Sequence, residues 1–195
     1  MAYECRRIVT GHTPEGKSTV LYDSSMPLLE ADRAAGARQE DRAGAASAVI
    51  WTTQGPVDND DPSDTALLKV GTAESDGTVF RIVRYAPGVA PRRHRTNSID
   101  YAVVISGSME MELDNETVWL NEGDVLVQRG TIHNWVNNGT EPCVIVFVLI
   151  GARPATVNGN AVARRGLTGQ PRACVQGVGT QPRPARRGPA VDQRT

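Results

Sequence analysis

GVAPRRHRTNSIDYAVVISG (88–107) and GDVLVQRGTIHNWVN (123–137) are two stretches, each opened by a glycine, that hold two of the three histidines of the chain. In the first, five residues separate Gly88 from His94, one separates His94 from Thr96, three separate Thr96 from Asp100, and six separate Asp100 from Gly107. The segment between the two stretches alternates. Met109, Met111 and Leu113 fall on one face, Ser108, Glu110 and Glu112 on the other, and Asp114–Asn115–Glu116 turns the chain into 117–120. Period-two alternation followed by a turn is a β-hairpin.

Working outward, 18–23 (STVLYD), 48–53 (AVIWTT) and 78–85 (TVFRIVRY) are β-branched and aromatic runs bounded by turn residues. With 125–128, 134–137 and the apolar run 143–150 they give about eight short strands at even spacing, which predicts an all-β barrel or jelly roll with little helix. Residues 26–47 lack a clean 3.6-residue stripe and carry Gly36 and Gly44, so a loop with one or two helical turns is expected there. The acidic segment 54–64 (QGPVDNDDPSD) matches no calcium loop and reads as a solvated turn. Residues 153–195 show no period and little apolar content, so a disordered tail is expected.

The two stretches resemble the paired motifs of the cupin superfamily, in which the first motif supplies two histidines and a glutamate and the second a third histidine. The resemblance is detailed over residues 88–137 and consistent over 78–151. It implies a double-stranded β-helix, a jelly-roll barrel over 78–151, with strands and loops of 1–77 packed on it; the basic tail over 152–195, expected from composition to be disordered, is not part of the likeness. Thr96 stands at the second histidine, Asp100 at the glutamate, and Gln128 where proline is usual in a second motif one residue short. What the resemblance leaves is His94, Asp100 and His133, implied as metal ligands and catalytic residues. Two imidazoles and one carboxylate match the facial triad of non-haem iron(II) sites. The implied cofactor is a divalent metal, iron(II) or manganese(II) first, nickel or zinc as alternatives.

Around that set, Arg92 with Arg93 at the mouth suits a carboxylate or phenolate, Gln128 a substrate hydrogen bond, and Trp135 an aromatic wall. Met109 and Met111 supply an adaptable apolar face. Tyr101 points away from Asp100, and His12 falls in a surface turn. HRTNSIDYAVVISG, together with RRIVTGHTPEGKSTVLYDS and VIWTTQGPVDND, is similar to small bacterial and fungal cupins of secondary metabolism described as oxidoreductases or decarboxylases, extending the likeness over residues 6–151. A metal-dependent enzyme on a small aromatic or enolisable carbonyl compound is expected. The alternatives are a metal-free binding or sensing module, and a lyase using His133 or Asp100 as general base.

Bulk properties narrow the field. A hydrophobic content of 39% and charged content of 22% are those of a globular chain, with no apolar run of membrane-spanning length. No signal-peptide run precedes Arg6 and Arg7, so a cytoplasmic location is expected. Cys5, Cys143 and Cys174 are three at wide spacing, which predicts ordinary thiols. From 152 onward there are eight arginines and one acid, against 13 basic and 21 acidic residues in 1–151. The tail arginines are scattered without aromatic residues, so no nucleic-acid partner is expected. A homodimer is implied by the resemblance alone.

Overall fold

The computed structural model describes residues 3–30 and 43–162. Thirteen strands are present among them: β1 (Glu4–His12), β2 (Ser18–Pro27), β3 (Leu29–Glu30), β4 (Ala45–Gln54), β5 (Gly77–Tyr85), β6 (Ser98–Ser106), β7 (Ser108–Glu112), β8 (Thr117–Asn121), β9 (Val125–Arg129), β10 (Asn134–Val136), β11 (Cys143–Gly151), β12 (Thr156–Val157) and β13 (Asn160–Ala161). The helical content described is one 3-10 turn, Thr65–Leu67. No helix among the described residues is long and apolar enough to cross a membrane.

Two sheets make the jelly roll. A six-stranded sheet runs β3-β4-β5-β11-β6-β9 and a three-stranded sheet runs β10-β7-β8, all of their pairings antiparallel. Their inner faces share one apolar core. Val79, Val83, Phe147 and Leu149 of the larger sheet meet Met109, Met111, Leu120 and Trp135 of the smaller. Alternation makes this possible, because every second residue of each strand turns inward. Gly107 joins the sheets between β6 and β7. It has φ +76°, and a Cβ there would lie 2.5 Å from the Pro142 carbonyl oxygen, so the corner excludes any side chain.

The outer face of the larger sheet is unevenly covered. The β1–β2 hairpin base brings Cys5, Met26 and Leu28 against Ala48, Ile82 and Val144. Arg7 of that hairpin is buried and forms a two-pronged ion pair with Asp64, 2.7 Å through one nitrogen and 2.6 Å through the other. Over β6 and β9, in contrast, Tyr101, Val103, Ile105, Val125 and Val127 are exposed.

Several expectations change. The hairpin partner β1 is absent from the strands expected of the sequence, because adjacent Arg6 and Arg7 break its apolar alternation and the burial of Arg7 is set by Asp64 and the sheet beneath. His12 ends that strand, exposed, in place of a turn. The loop expected over 26–47 has strand at both ends, since Met26 and Pro27 close β2, β3 follows, and β4 opens at Ala45. Residues 31–42 lie outside the described residues. Asp64 is no solvated turn residue: besides pairing with Arg7 it caps the 3-10 turn, accepting from the Ala66 amide at 3.2 Å. The segment after Ala152 opens with the exposed hairpin β12–β13, so disorder does not begin at 152. Residues 163–195 lie outside the described residues. Cys5 and Cys143 are free thiols, and burial pushes the Cys143 thiol up to about 11.

Candidate functional site

Both motif histidines sit just outside regular strands. His94 precedes β6 and His133 precedes β10, and the two residues pair as an isolated antiparallel bridge that links the sheets. The His94 amide donates to the His133 carbonyl at 3.0 Å, and the His133 amide to the His94 carbonyl at 2.9 Å. The backbone thus brings the rings together, tilted by 51° with centroids 4.4 Å apart.

Their orientation is symmetric. His94 Nδ1 lies 3.0 Å from the Arg92 carbonyl and His133 Nδ1 lies 3.0 Å from the Thr131 carbonyl. A carbonyl only accepts, so Nδ1 of each neutral ring carries the proton and Nε2 keeps the lone pair. Anchoring one ring nitrogen to a backbone carbonyl so that the other faces an ion is the usual arrangement of histidine ligands.

Asp100 enters differently. The register of β6 and β9 sets it directly opposite Gln128. Asp100 Oδ1 accepts from the Ser98 hydroxyl at 2.5 Å, and Oδ2 accepts from Gln128 Nε2 at 3.0 Å. Ser98 also lies 2.8 Å from Thr96 Oγ1, so Thr96 belongs to this chain of hydrogen bonds. Burial pushes the Asp100 carboxyl above the ordinary carboxylate range, outweighing the downward pull of Ser98 and Gln128. Gln128 Nε2 lies 3.4 Å from His133 Nε2, which sets the amide between carboxylate and imidazole.

That placement bears on the metal reading. The paired imidazoles are donors of a kind a divalent cation takes, each tied through Nδ1, with Gln128 Nε2 set 3.4 Å from Nε2 of His133. The carboxylate, with both oxygens hydrogen-bonded, does not join them: among the described residues no three of His, Cys, Asp and Glu lie together as an ion would need. His94, Asp100 and His133 are thus assembled as an imidazole pair and a neighbouring carboxylate.

The remaining expected residues divide. Trp135 is buried beside the pair, edge-on to His133 at 5.9 Å, stacked with Tyr85 at 6.2 Å and edge-on to Phe147 at 5.6 Å. Met109 and Met111 are fully inside, part of the same core. Arg92 turns its guanidinium to Thr72 at 3.3 Å, and Arg93 pairs with Asp114. Two contributors escaped the sequence reading. Ser98 shares the inward face with Thr96 and Asp100, and the i, i+2, i+4 spacing of three polar residues was the signal for it. Asn134 receives the Arg92 amide at 2.8 Å and donates to Glu112 at 2.9 Å, a role no spacing reveals.

Comparison with known proteins agrees with the fold. The cupin domain model matches residues 81–149. The cupin-domain-containing oxidoreductase fogC of Aspergillus ruber is 38% identical over 161 residues, 78% of this chain and 75% of that one. Phomopsin biosynthesis cluster protein C' of Diaporthe leptostromiformis is 37% identical over 171 residues, 84% of this chain and 86% of that one. Among solved structures, the polyketide cyclase RemF of Streptomyces resistomycificus is 19% identical, with a TM-score of 0.41 over 58% of this chain and 70% of that one. With the jelly roll, the paired motifs and relatives of this similarity along most of its length, this chain belongs to the cupin family.

Proposed function

We propose that this chain is a cytoplasmic oxidoreductase of secondary metabolism that acts on a small aromatic or enolisable carbonyl compound at the interior site. The observation that carries the proposal is the matched tethering of the buried His94 and His133 rings, each held through Nδ1 to a backbone carbonyl. Those two side chains would hold a divalent ion, iron(II) or manganese(II) ahead of nickel or zinc, since imidazole suits all four in the right geometry. When bound, such an ion supplies polarisation of a substrate oxygen. Trp135 and Met111 offer an aromatic and adaptable wall to the substrate, and the tethered rings keep their orientation without reorganisation. The names of the relatives support the oxidoreductase class and the biosynthetic setting. The exposed apolar face of β6 and β9 supports pairing of two copies, which sedimentation would reveal.

Metal analysis of untagged, purified protein tests the proposal. About one equivalent of a divalent transition metal is expected, lost in both His94→Ala and His133→Ala. A chain that takes up no ion after reconstitution, and whose variants only melt earlier, would exclude it.

A second reading rests on Asp100. A buried carboxyl raised above its ordinary value is better suited to take up a proton than an exposed one, and a lyase without metal would use it so. Full turnover of a candidate substrate after chelation would favour that reading.

A further inference from the structure

The β1–β2 hairpin touches the larger sheet through its base, where Cys5, Met26 and Leu28 pack. Beyond that base the hairpin, β4 and the acidic segment 54–64 border a half-open groove of about 550 Å³. Trp51 and Phe80, cross-strand partners on β4 and β5, line it together with Leu21 and Pro56. Two ties fix its width. Arg7 holds Asp64 through two guanidinium nitrogens, and the Tyr22 hydroxyl donates to the Pro62 carbonyl at 3.2 Å.

The lining is negative. Arg7, the only cation on it among the described residues, is neutralised by Asp64. Asp58 and Asp61 are exposed on the same lining, where they accept from the Asp60 and Ser63 amides at 2.9 Å. Among the described residues neither is paired with a cation. Aromatic walls beside unpaired carboxylates suit an extended segment rich in proline and arginine, because prolines dock on aromatic rings and the guanidinium fork meets carboxylates.

The same chain carries such a segment. Residues 181–190 read QPRPARRGPA, with three prolines and three arginines, and 163–195 holds seven arginines against Asp192. We propose that 181–190 dock in the groove of their own chain, prolines against Trp51 and Phe80 and arginines against Asp58 and Asp61. Length permits it. The described chain ends at Val162, whose amide donates to the Ala155 carbonyl at 2.8 Å, and Ala155 lies beside Gly130, the residue after β9. From β9 the sheet order reaches β4 in four steps of about 4.8 Å, roughly 20 Å in all, whereas the chain from Val162 to Pro182 spans up to ~65 Å. In a polyproline helix, at three residues per turn, Arg183 and Arg186 share one side about 9 Å apart, which lets both face the acidic wall.

Trypsin applied to the full chain tests the docking, each cleavage rate being divided by the rate at the same bond in a free synthetic peptide of residues 163–195. Trypsin cuts after arginine unless proline follows, so Arg183 is silent, Arg186 and Arg187 report, and Arg172 is the internal reference. Protection after Arg186 and Arg187 is expected to exceed that after Arg172 by ~10-fold or more, since cleavage follows the open population. Asp58→Asn combined with Asp61→Asn keeps the amide-accepting oxygens but removes both charges, and it is expected to abolish the protection. Arg183→Ala, which alters no cleavage site, and salt of about 0.5 M are each expected to weaken it several-fold. Equal protection after Arg172 and Arg186 in wild type would overturn the proposal. So would protection that survives the double variant, which would seat the segment elsewhere, or protection lost on dilution, which would assign it to the groove of another copy.

Discussion

Two carboxylates, one buried and one part-buried, lie on opposite sides of the larger sheet, and they are treated in opposite ways. Asp64, outside the barrel, meets the Arg7 guanidinium through both oxygens, and that partner holds its carboxyl below the ordinary range. Asp100, inside, meets a hydroxyl and an amide, and burial holds its carboxyl above that range. The first arrangement offsets desolvation with an opposite charge and joins the hairpin to the barrel. The second leaves the desolvation cost standing, and such a cost persists where a site needs the group. The difference sets a charge-compensated polar cluster apart from one whose desolvation cost stands uncompensated.

The comparison can be broken most severely at the imidazoles. His94→Ala and His133→Ala are each expected to abolish ion binding while the barrel stays folded, and the double variant to cost little more than either single one. Metal stoichiometry set against melting temperature checks this. Were stability to fall additively with no ion to lose, the interior cluster would be structural as well.

Asp64→Asn is expected to destabilise the chain by about 3 kcal/mol, because it leaves the buried Arg7 charge unpaired. Denaturant unfolding measures it, and a loss confined to the β1–β2 hairpin would show as reduced hydrogen-exchange protection there. The pH dependence should follow the lowered carboxyl: the stabilisation is present above the ordinary carboxylate range and is lost as pH falls through the folded value.

Asp100→Asn should act with the reverse sign. Because the folded carboxyl is raised, wild type gains stability as pH falls from that value to the ordinary range, and loses it as pH rises back. The asparagine variant is expected to lack this slope and to match wild type within about 1 kcal/mol at neutral pH. Unfolding curves collected across the acid range, wild type against variant, would show the two slopes diverge.

The smallest effect belongs to Asp23. It pairs with Arg6 at 2.7 Å, but both side chains are well exposed, and solvent screens the pair. No measurable change in melting temperature is expected for Asp23→Asn at physiological salt. A clear drop would mean that exposed pairs on the hairpin matter as much as the Arg7–Asp64 pair, and the contrast drawn above would weaken.

The sequence by itself determined the jelly roll and which two histidines meet. Period-two alternation in 108–113 and the apolar run 143–150 leave little choice of element, because inward and outward faces are set by parity alone. The glycine-to-histidine spacings then put His94 and His133 in one region. What only the tertiary structure decided was which polar side chains converge. Spacing along the chain treats Asp100 and Gln128 as equal candidates, but strand register sets them opposite each other, and one methylene of reach puts the amide beside His133. The same holds for Arg7. Its neighbours in sequence read as an interrupted apolar run, and its burial follows from Asp64, 57 residues away, a partner that no local pattern discloses. Faces are local properties of a strand, whereas the pairing of buried charges is settled by distant segments meeting at a few ångströms.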